Sequence, residues 1–228
     1  MKDREVKYMG YTYEVQNWQG LLQQLVNYTS LGYTKYCAVE YPERKHERFS
    51  AIDRKIIAKY HVDKSKDQRS RLKKKGYANF VFLRWDKYTW VLQSPGVVRE
   101  DILYDDIFHS FPKMPIEVKV GTNMCLLVGR FGKGGGISVK MTPETYREVK
   151  AGLREVAATG DRNRCVREFN KLNGLPAWHG IVEQKVRLAE YLVKQARSHQ
   201  VKLSRRDLRI NTMRKVYPVW KDRGRKKG

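Results

Sequence analysis

The spacing of apolar residues in the first hundred positions alternates between the period of a strand and that of a helix. The expected strands are 6–15, 33–41, 77–85 and 88–94, and the expected helices are 18–29 and 49–60. The last two strands predict a hairpin that turns at Asp86 and Lys87. The resulting order, β-α-β-α-β-β, predicts an α/β sandwich with helices on one face of a mainly antiparallel sheet.

A second pattern begins near residue 113. Short alternating runs predict three strands, with the sequences IEVKV, MCLLVGR and ISVKM. Thr142 is a good N-cap with Pro143 at the first helical position, and helices are expected after it, near 162–172 and near 180–198. The fold class predicted for the whole chain is therefore α+β. The expected division is an α+β nucleic-acid-binding domain at 1–112, a β-hairpin plus helical region at 113–202 and a basic tail at 203–228.

The net charge of the chain indicates a function as well as a fold. The 228 residues contain 47 lysines and arginines against 24 acids, which gives a formal charge of +23 and a pI near 10.0. A compact body with this charge repels itself and attracts polyanions, so nucleic acid is the expected partner. The first ten residues are charged and no run is apolar enough for a membrane span, so we expect no signal peptide, no membrane association and a cytoplasmic location. The three cysteines have neither disulfide nor zinc spacing.

The basic residues are concentrated in two segments. Residues 44–75 hold 13 lysines and arginines against four acids, and residues 202–228 hold 11 against two, a net of +9 in each. A flexible basic loop before the hairpin and a basic tail are expected to hold a phosphate backbone. The predicted phosphate contacts come from four parts of the chain. They are Arg69, Arg71, Lys73, Lys74 and Lys75 in the first basic segment, Arg84 in the hairpin, Lys133 in the glycine-rich loop FGKGGG, and Arg205, Arg206, Arg209, Arg214 and Lys215 in the tail.

Aromatic residues follow the first basic segment directly. The stretch from Lys75 to Phe82 resembles the RNP1 strand of RNA-recognition-motif domains, which opens with a basic residue, a glycine, an aromatic and a small residue. It departs from that pattern at Asn79, where the family has a second stacking aromatic, and from the family's strand order. Alternation predicts that Phe80 and Phe82 are buried and that Tyr77 faces outward, where it could stack on a base.

One alternative involves catalysis. Glu117 and Lys119 lie in one strand, with Asp105 and Asp106 eleven to twelve residues before Glu117. This spacing is similar to that of PD-(D/E)xK nucleases, in which two acids bind Mg²⁺ and the lysine assists the attacking water. The resemblance implies Asp106, Glu117 and Lys119 as candidate catalytic residues.

The leading hypothesis is an RNA-binding protein without a cofactor. It would belong to a ribonucleoprotein of a mobile element, phage or similar system, with possible protein partners. The competing hypothesis is a Mg²⁺-dependent DNA endonuclease or replication initiator that uses the acids named above.

Overall fold

The computed structural model describes residues 12–131 and 135–221, and these form two compact units. The first unit comprises the chain up to Met114 together with the segment from Pro218, and the second comprises Pro115–Tyr217. Both contain helices and an antiparallel sheet, which confirms the α+β class. No helix in these two ranges combines the length and apolar character that crossing a bilayer requires.

The described part of the first unit has three α-helices and a four-stranded sheet. Its elements are α1 (Trp18–Ser30), β1 (Lys35–Glu40), a 3-10 helix (Glu43–Arg48), α2 (Phe49–Tyr60), α3 (Lys66–Lys74), β2 (Phe80–Trp85), β3 (Tyr88–Gln93) and β4 (His109–Ser110). The strand order is β2-β3-β1-β4, with antiparallel neighbours. The predicted hairpin is confirmed, and Asp86 has the positive φ of 54° that its tight turn requires.

The hairpin strands β2 and β3 are buried on both faces. Every residue from Phe80 to Arg84 and from Thr89 to Gln93 is buried, and β2 contacts both α1 and α2. Phe80 and Phe82 join Ile57 and Tyr60 of α2 in an apolar cluster. The burial predicted for both phenylalanines is therefore confirmed, although β2 and β3 are more deeply enclosed than the strands of a one-sided sandwich.

The expected basic loop is a helix. Ser65 accepts a hydrogen bond from the backbone N–H of Gln68, and the Gln68 side chain accepts one from the N–H of Ser65, which forms a capping box at the start of α3. Leu72 is half-buried. The Asn79 amide donates to the carbonyl of Arg69 at 3.1 Å, which ties the helix to the hairpin. The prediction of a flexible loop was wrong because local capping and this one distant anchor stabilise the helix.

Two distant parts of the chain extend the sheet beyond β2. Glu14 pairs with Arg84 in parallel, and Val15 pairs with Trp220 in antiparallel orientation. The N–H of Gln16 donates to the carbonyl of Val219 at 2.7 Å. Part of the predicted basic tail therefore belongs to the first unit. Most of the first predicted strand and the last residues of the tail lie outside the described ranges.

The second unit is a three-stranded sheet covered by helices. Its elements are β5 (Ile116–Val120), β6 (Met124–Phe131), β7 (Gly136–Met141), α4 (Pro143–Ala158), α5 (Arg162–Lys171) and α6 (His179–Ser198), with 3-10 turns at Leu172–Gly174 and Arg205–Asp207. The strands lie in sequence order and are antiparallel. Thr142 caps α4 as predicted. On α6, Gln184 bonds both backbone groups of Met141, which satisfies part of the open edge of β7.

Candidate nucleic-acid interface

The cations of α3 form the first candidate surface. We define the α3 surface as the following five side chains: Arg69, Arg71, Lys73, Lys74 and Lys75. All are exposed except the half-buried Arg69. None forms an ion pair with a carboxylate of residues 12–131 or 135–221, whereas Lys59, in the same basic segment, pairs with Asp105 and Asp106. These five charges are therefore available to a ligand.

Tyr77 follows the α3 surface closely in the chain and faces outward, as predicted. Its side chain is 36% exposed, and its backbone N–H donates to the carbonyl of Leu72 at 3.0 Å, which fixes it against the end of α3. Asn79 is buried, where the RNP1 pattern has a stacking aromatic. Since both faces of the hairpin are covered, β2 and β3 do not offer the open stacking face that the resemblance implies.

Arg84 does not belong to the interface, and its prediction as a phosphate contact is corrected. It is 6% exposed, with hydrogen-bonded ion pairs to Asp53 at 2.7 Å and to Glu14 at 3.1 Å. The Tyr41 hydroxyl also donates to Asp53, at 3.1 Å. Burial raises the pKa of Asp53, although Arg84 and Tyr41 act in the opposite direction. Arg84 is a buried cation satisfied by carboxylates, because it shares the inward side of β2 with Phe82.

The second unit gathers cations from two parts of the chain. We define the α5 surface as Arg162, Arg164, Arg167 and Lys171 of α5 together with Arg205, Arg206 and Arg209, all of which are exposed. Arg162 forms an ion pair with Asp207 at 2.9 Å. The Asn173 side chain donates to the carbonyl of Arg209 at 2.9 Å and accepts from the N–H of Asn211 at 2.9 Å. These contacts hold the tail segment beside α5.

The α5 cations were missed by sequence reasoning, which used this helix only for its apolar positions. The signal was present in the sequence, since α5 buries only Cys165 and Phe169 and its exposed positions include three arginines and a lysine. Two of its cations are partly neutralised, Lys171 by Glu168 at 2.7 Å and Arg162 by Asp207. The α5 surface is therefore less completely unpaired than the α3 surface.

The remaining predicted tail cations are placed differently. Arg214 lies over the ring of the buried Trp178, with its guanidinium carbon 3.8 Å from the ring centroid, so it is held in a cation–π contact. Lys215 is exposed. Lys133 lies outside the described residues.

The acids of the nuclease hypothesis lie in different units. Lys59 bonds to Asp105 and to Asp106, at 2.7 Å in the second case, and the Tyr60 hydroxyl also donates to Asp106. The bonds from Lys59 and then Tyr60 lower the pKa of Asp106. Glu117 and Lys119 occupy the exposed side of β5 in the second unit. Within the described ranges, no three histidine, cysteine or acidic side chains are grouped as a metal site requires.

Comparisons with family models, with curated proteins and with solved structures found no match to this chain.

Proposed function

We propose that this protein binds nucleic acid, with RNA preferred, and that the α3 surface supplies the principal phosphate contacts. The observation that carries the proposal is a cluster of five lysines and arginines, four of them exposed, with no ion pair to a described carboxylate. The α5 surface supplies a second set of contacts. The protein acts in the cytoplasm, within a ribonucleoprotein of a mobile element, phage or similar system.

Ion pairing with carboxylates distinguishes the cations that stabilise the fold from those that are available to a ligand. Arg84 has two carboxylate partners, so its charge is already compensated within the fold. The α3 cations have none among the described residues and repel one another at helical spacing. A phosphate backbone removes this repulsion and releases condensed counterions, which is the main source of sequence-independent affinity.

This proposal predicts a steep salt dependence. Each phosphate contact to a single strand contributes about −0.7 to the slope of log K against log salt, so five contacts give a slope of about −3.5. We expect filter-binding titrations of a folded RNA to show at least this slope. A flat dependence would exclude phosphate contacts as the main source of affinity.

Charge variants test which cations contribute. In the triple variant Arg71→Gln, Lys73→Gln, Lys74→Gln we expect the slope to fall by about 2. The matched control changes three ion-paired cations, Lys87, Arg99 and Arg147, to glutamine. It removes the same net charge, and its slope should stay close to that of the unmodified protein. Equal effects of the two triples would mean that total charge and not the α3 surface determines binding.

Two further arms of the titration address the nature of the ligand. Folded RNA should bind more tightly than duplex DNA of equal length, and equal competition by the DNA would refute the RNA preference. Parallel incubations with Mg²⁺ and with EDTA report on the nuclease hypothesis, since metal-dependent cleavage that is lost in Glu117→Ala would favour it.

A further inference from the structure

The loop after α3 presents two apolar side chains side by side. Tyr77 and Val97 form an isolated parallel bridge, with the N–H of Val97 donating to the carbonyl of Gly76 and the N–H of Ala78 to the carbonyl of Val97, both at 2.9 Å. Neighbouring residues in such a pair project to the same side of the backbone. Tyr77 is 36% and Val97 68% exposed, so together they form a small apolar ledge.

The backbone beneath the ledge is closely packed. Gly96 has φ +130°, and a Cβ placed on it would lie 2.6 Å from the N of Ala78 and from the carbonyl carbon of Tyr77. Gly76 also has a positive φ, of 79°. Only glycine adopts such conformations readily, and at Gly96 a side chain would also collide with the backbone of the facing segment. The ledge is therefore preorganised.

The surroundings of the ledge indicate its ligand. Lys73, Lys74 and Lys75 immediately precede it, and the Tyr77 ring is stacked on no other aromatic ring of the described residues. An unpaired nucleotide combines a flat base with a charged phosphate, which matches an exposed aromatic beside unpaired cations. A continuous duplex shows its base faces only at its ends, so it could use the cations but not the ring.

We propose that Tyr77 and Val97 form a stacking site for one unpaired base, while the α3 surface holds the flanking phosphates. This inference rests on the proposed function and narrows its substrate class to nucleic acid with single-stranded or looped positions. The ledge adds a contact with the face of a base to the phosphate contacts. Because only an unpaired base exposes that face, the site distinguishes unpaired from paired strands without recognising a particular base sequence.

The test compares two ligands and three proteins. The ligands are an unstructured RNA oligonucleotide containing 2-aminopurine and the blunt duplex formed from the same strand. The proteins are the unmodified chain, Tyr77→Ala and Tyr77→Phe, whose ring retains the stacking surface. We expect Tyr77→Ala to weaken single-strand binding by about 5- to 150-fold and to abolish the quenching of 2-aminopurine, with duplex binding changed less than about twofold. Tyr77→Phe should behave like the unmodified chain.

The outcomes separate the two proposals. If Tyr77→Ala binds the single strand as tightly as the unmodified chain, or weakens both ligands equally, the stacking site is refuted while phosphate binding stands. If the unmodified chain binds neither ligand, the proposed function fails and the stacking site fails with it. Val97→Ala provides a second variant, with a smaller loss expected for the single strand alone.

Discussion

Lys185 is a buried ammonium with one hydrogen bond, and its replacement by methionine should stabilise the second unit at neutral pH. The side chain lies on α6 at 0% exposure, and Nζ donates to the carbonyl of Leu175 at 3.1 Å. No carboxylate of the described residues forms an ion pair with it. Burial disfavours the charged form and lowers the pKa of Lys185 from 10.5 to about 8.

The magnitude follows from this shift. A pKa lowered by about 2.5 corresponds to about 3 kcal/mol of unfavourable free energy while the group is protonated in both the folded and the unfolded chain, which is the case at pH 7. Methionine keeps an unbranched apolar side chain but leaves the Leu175 carbonyl without this donor, at a cost of about 1 kcal/mol. The expected net gain in the free energy of unfolding at pH 7 is therefore about 2 kcal/mol.

The pH dependence has a defined sign. Between pH 8 and 10.5 the unfolded chain binds a proton at Lys185 that the folded chain has lost, so the stability of the unmodified protein rises with pH in this window. Lys185→Met lacks this titration. The advantage of the variant should consequently shrink from pH 7 to pH 9.5.

Unfolding of the second unit can be followed by itself, because Trp178 is its only tryptophan. Urea titrations of 5-fluorotryptophan-labelled protein, monitored by fluorine NMR, should be compared at pH 7 and pH 9.5. Lys194→Met, an exposed position on the same helix, is the matched control and should change stability by less than about 0.5 kcal/mol. A Lys185→Met variant less stable than the unmodified chain at pH 7, or a stability advantage that did not depend on pH, would contradict a destabilising charge at Lys185.

Two further substitutions test the first unit. Asp53→Asn leaves Arg84 without its fully buried counter-charge, so we expect the free energy of unfolding to fall by about 3 to 5 kcal/mol in urea titrations. Gly20→Ala raises the helix propensity of α1 by about 1 kcal/mol, but the new Cβ would lie 2.9 Å from the carbonyl oxygen of Pro218. Because this contact is too short, we expect the C-terminal segment to be displaced and to be cleaved faster in limited proteolysis. Gly152→Ala, in α4 with no such neighbour, should leave the cleavage rate unchanged.

The elements that the sequence predicts well are those whose buried residues leave a clear apolar pattern. Helix α2 was predicted closely because its buried residues recur at helix spacing, and β2 and β3 were predicted closely because their apolar and aromatic runs are continuous and bounded by turn residues. Helix α3 has no buried residue, so its apolar pattern carried no signal. Its capping box at Ser65 and Gln68 is visible in the sequence, whereas the Asn79 anchor depends on tertiary structure.

The candidate site shows a similar division. The numbers of lysines and arginines identify the basic segments, but whether each cation has a carboxylate partner depends on residues far away in the sequence. Asp53 lies 31 residues before Arg84, and no local pattern connects them. Arg84 lies two residues after Phe82 in the same strand, so alternation with Phe80 and Phe82 did indicate an inward position for it. At this residue the strand pattern is a better guide to burial than the charge of the side chain. Val97 was likewise invisible as a partner of Tyr77, because the bridge between them spans 20 residues.

The organisation of α3 connects stability with binding. Arg69 and Lys73, and likewise Arg71 and Lys75, are like charges four residues apart, a spacing that destabilises a helix by about 0.2–0.5 kcal/mol per pair. Nine residues are also too few for a helix that is stable without tertiary contacts. The capping box, the Asn79 bond and the half-buried Leu72 offset these costs and hold the cations in fixed positions before a ligand arrives. The entropic cost of ordering these side chains and their helix is therefore met mostly during folding. A polyanion then binds without that cost, so more of the favourable free energy of the phosphate contacts appears as affinity.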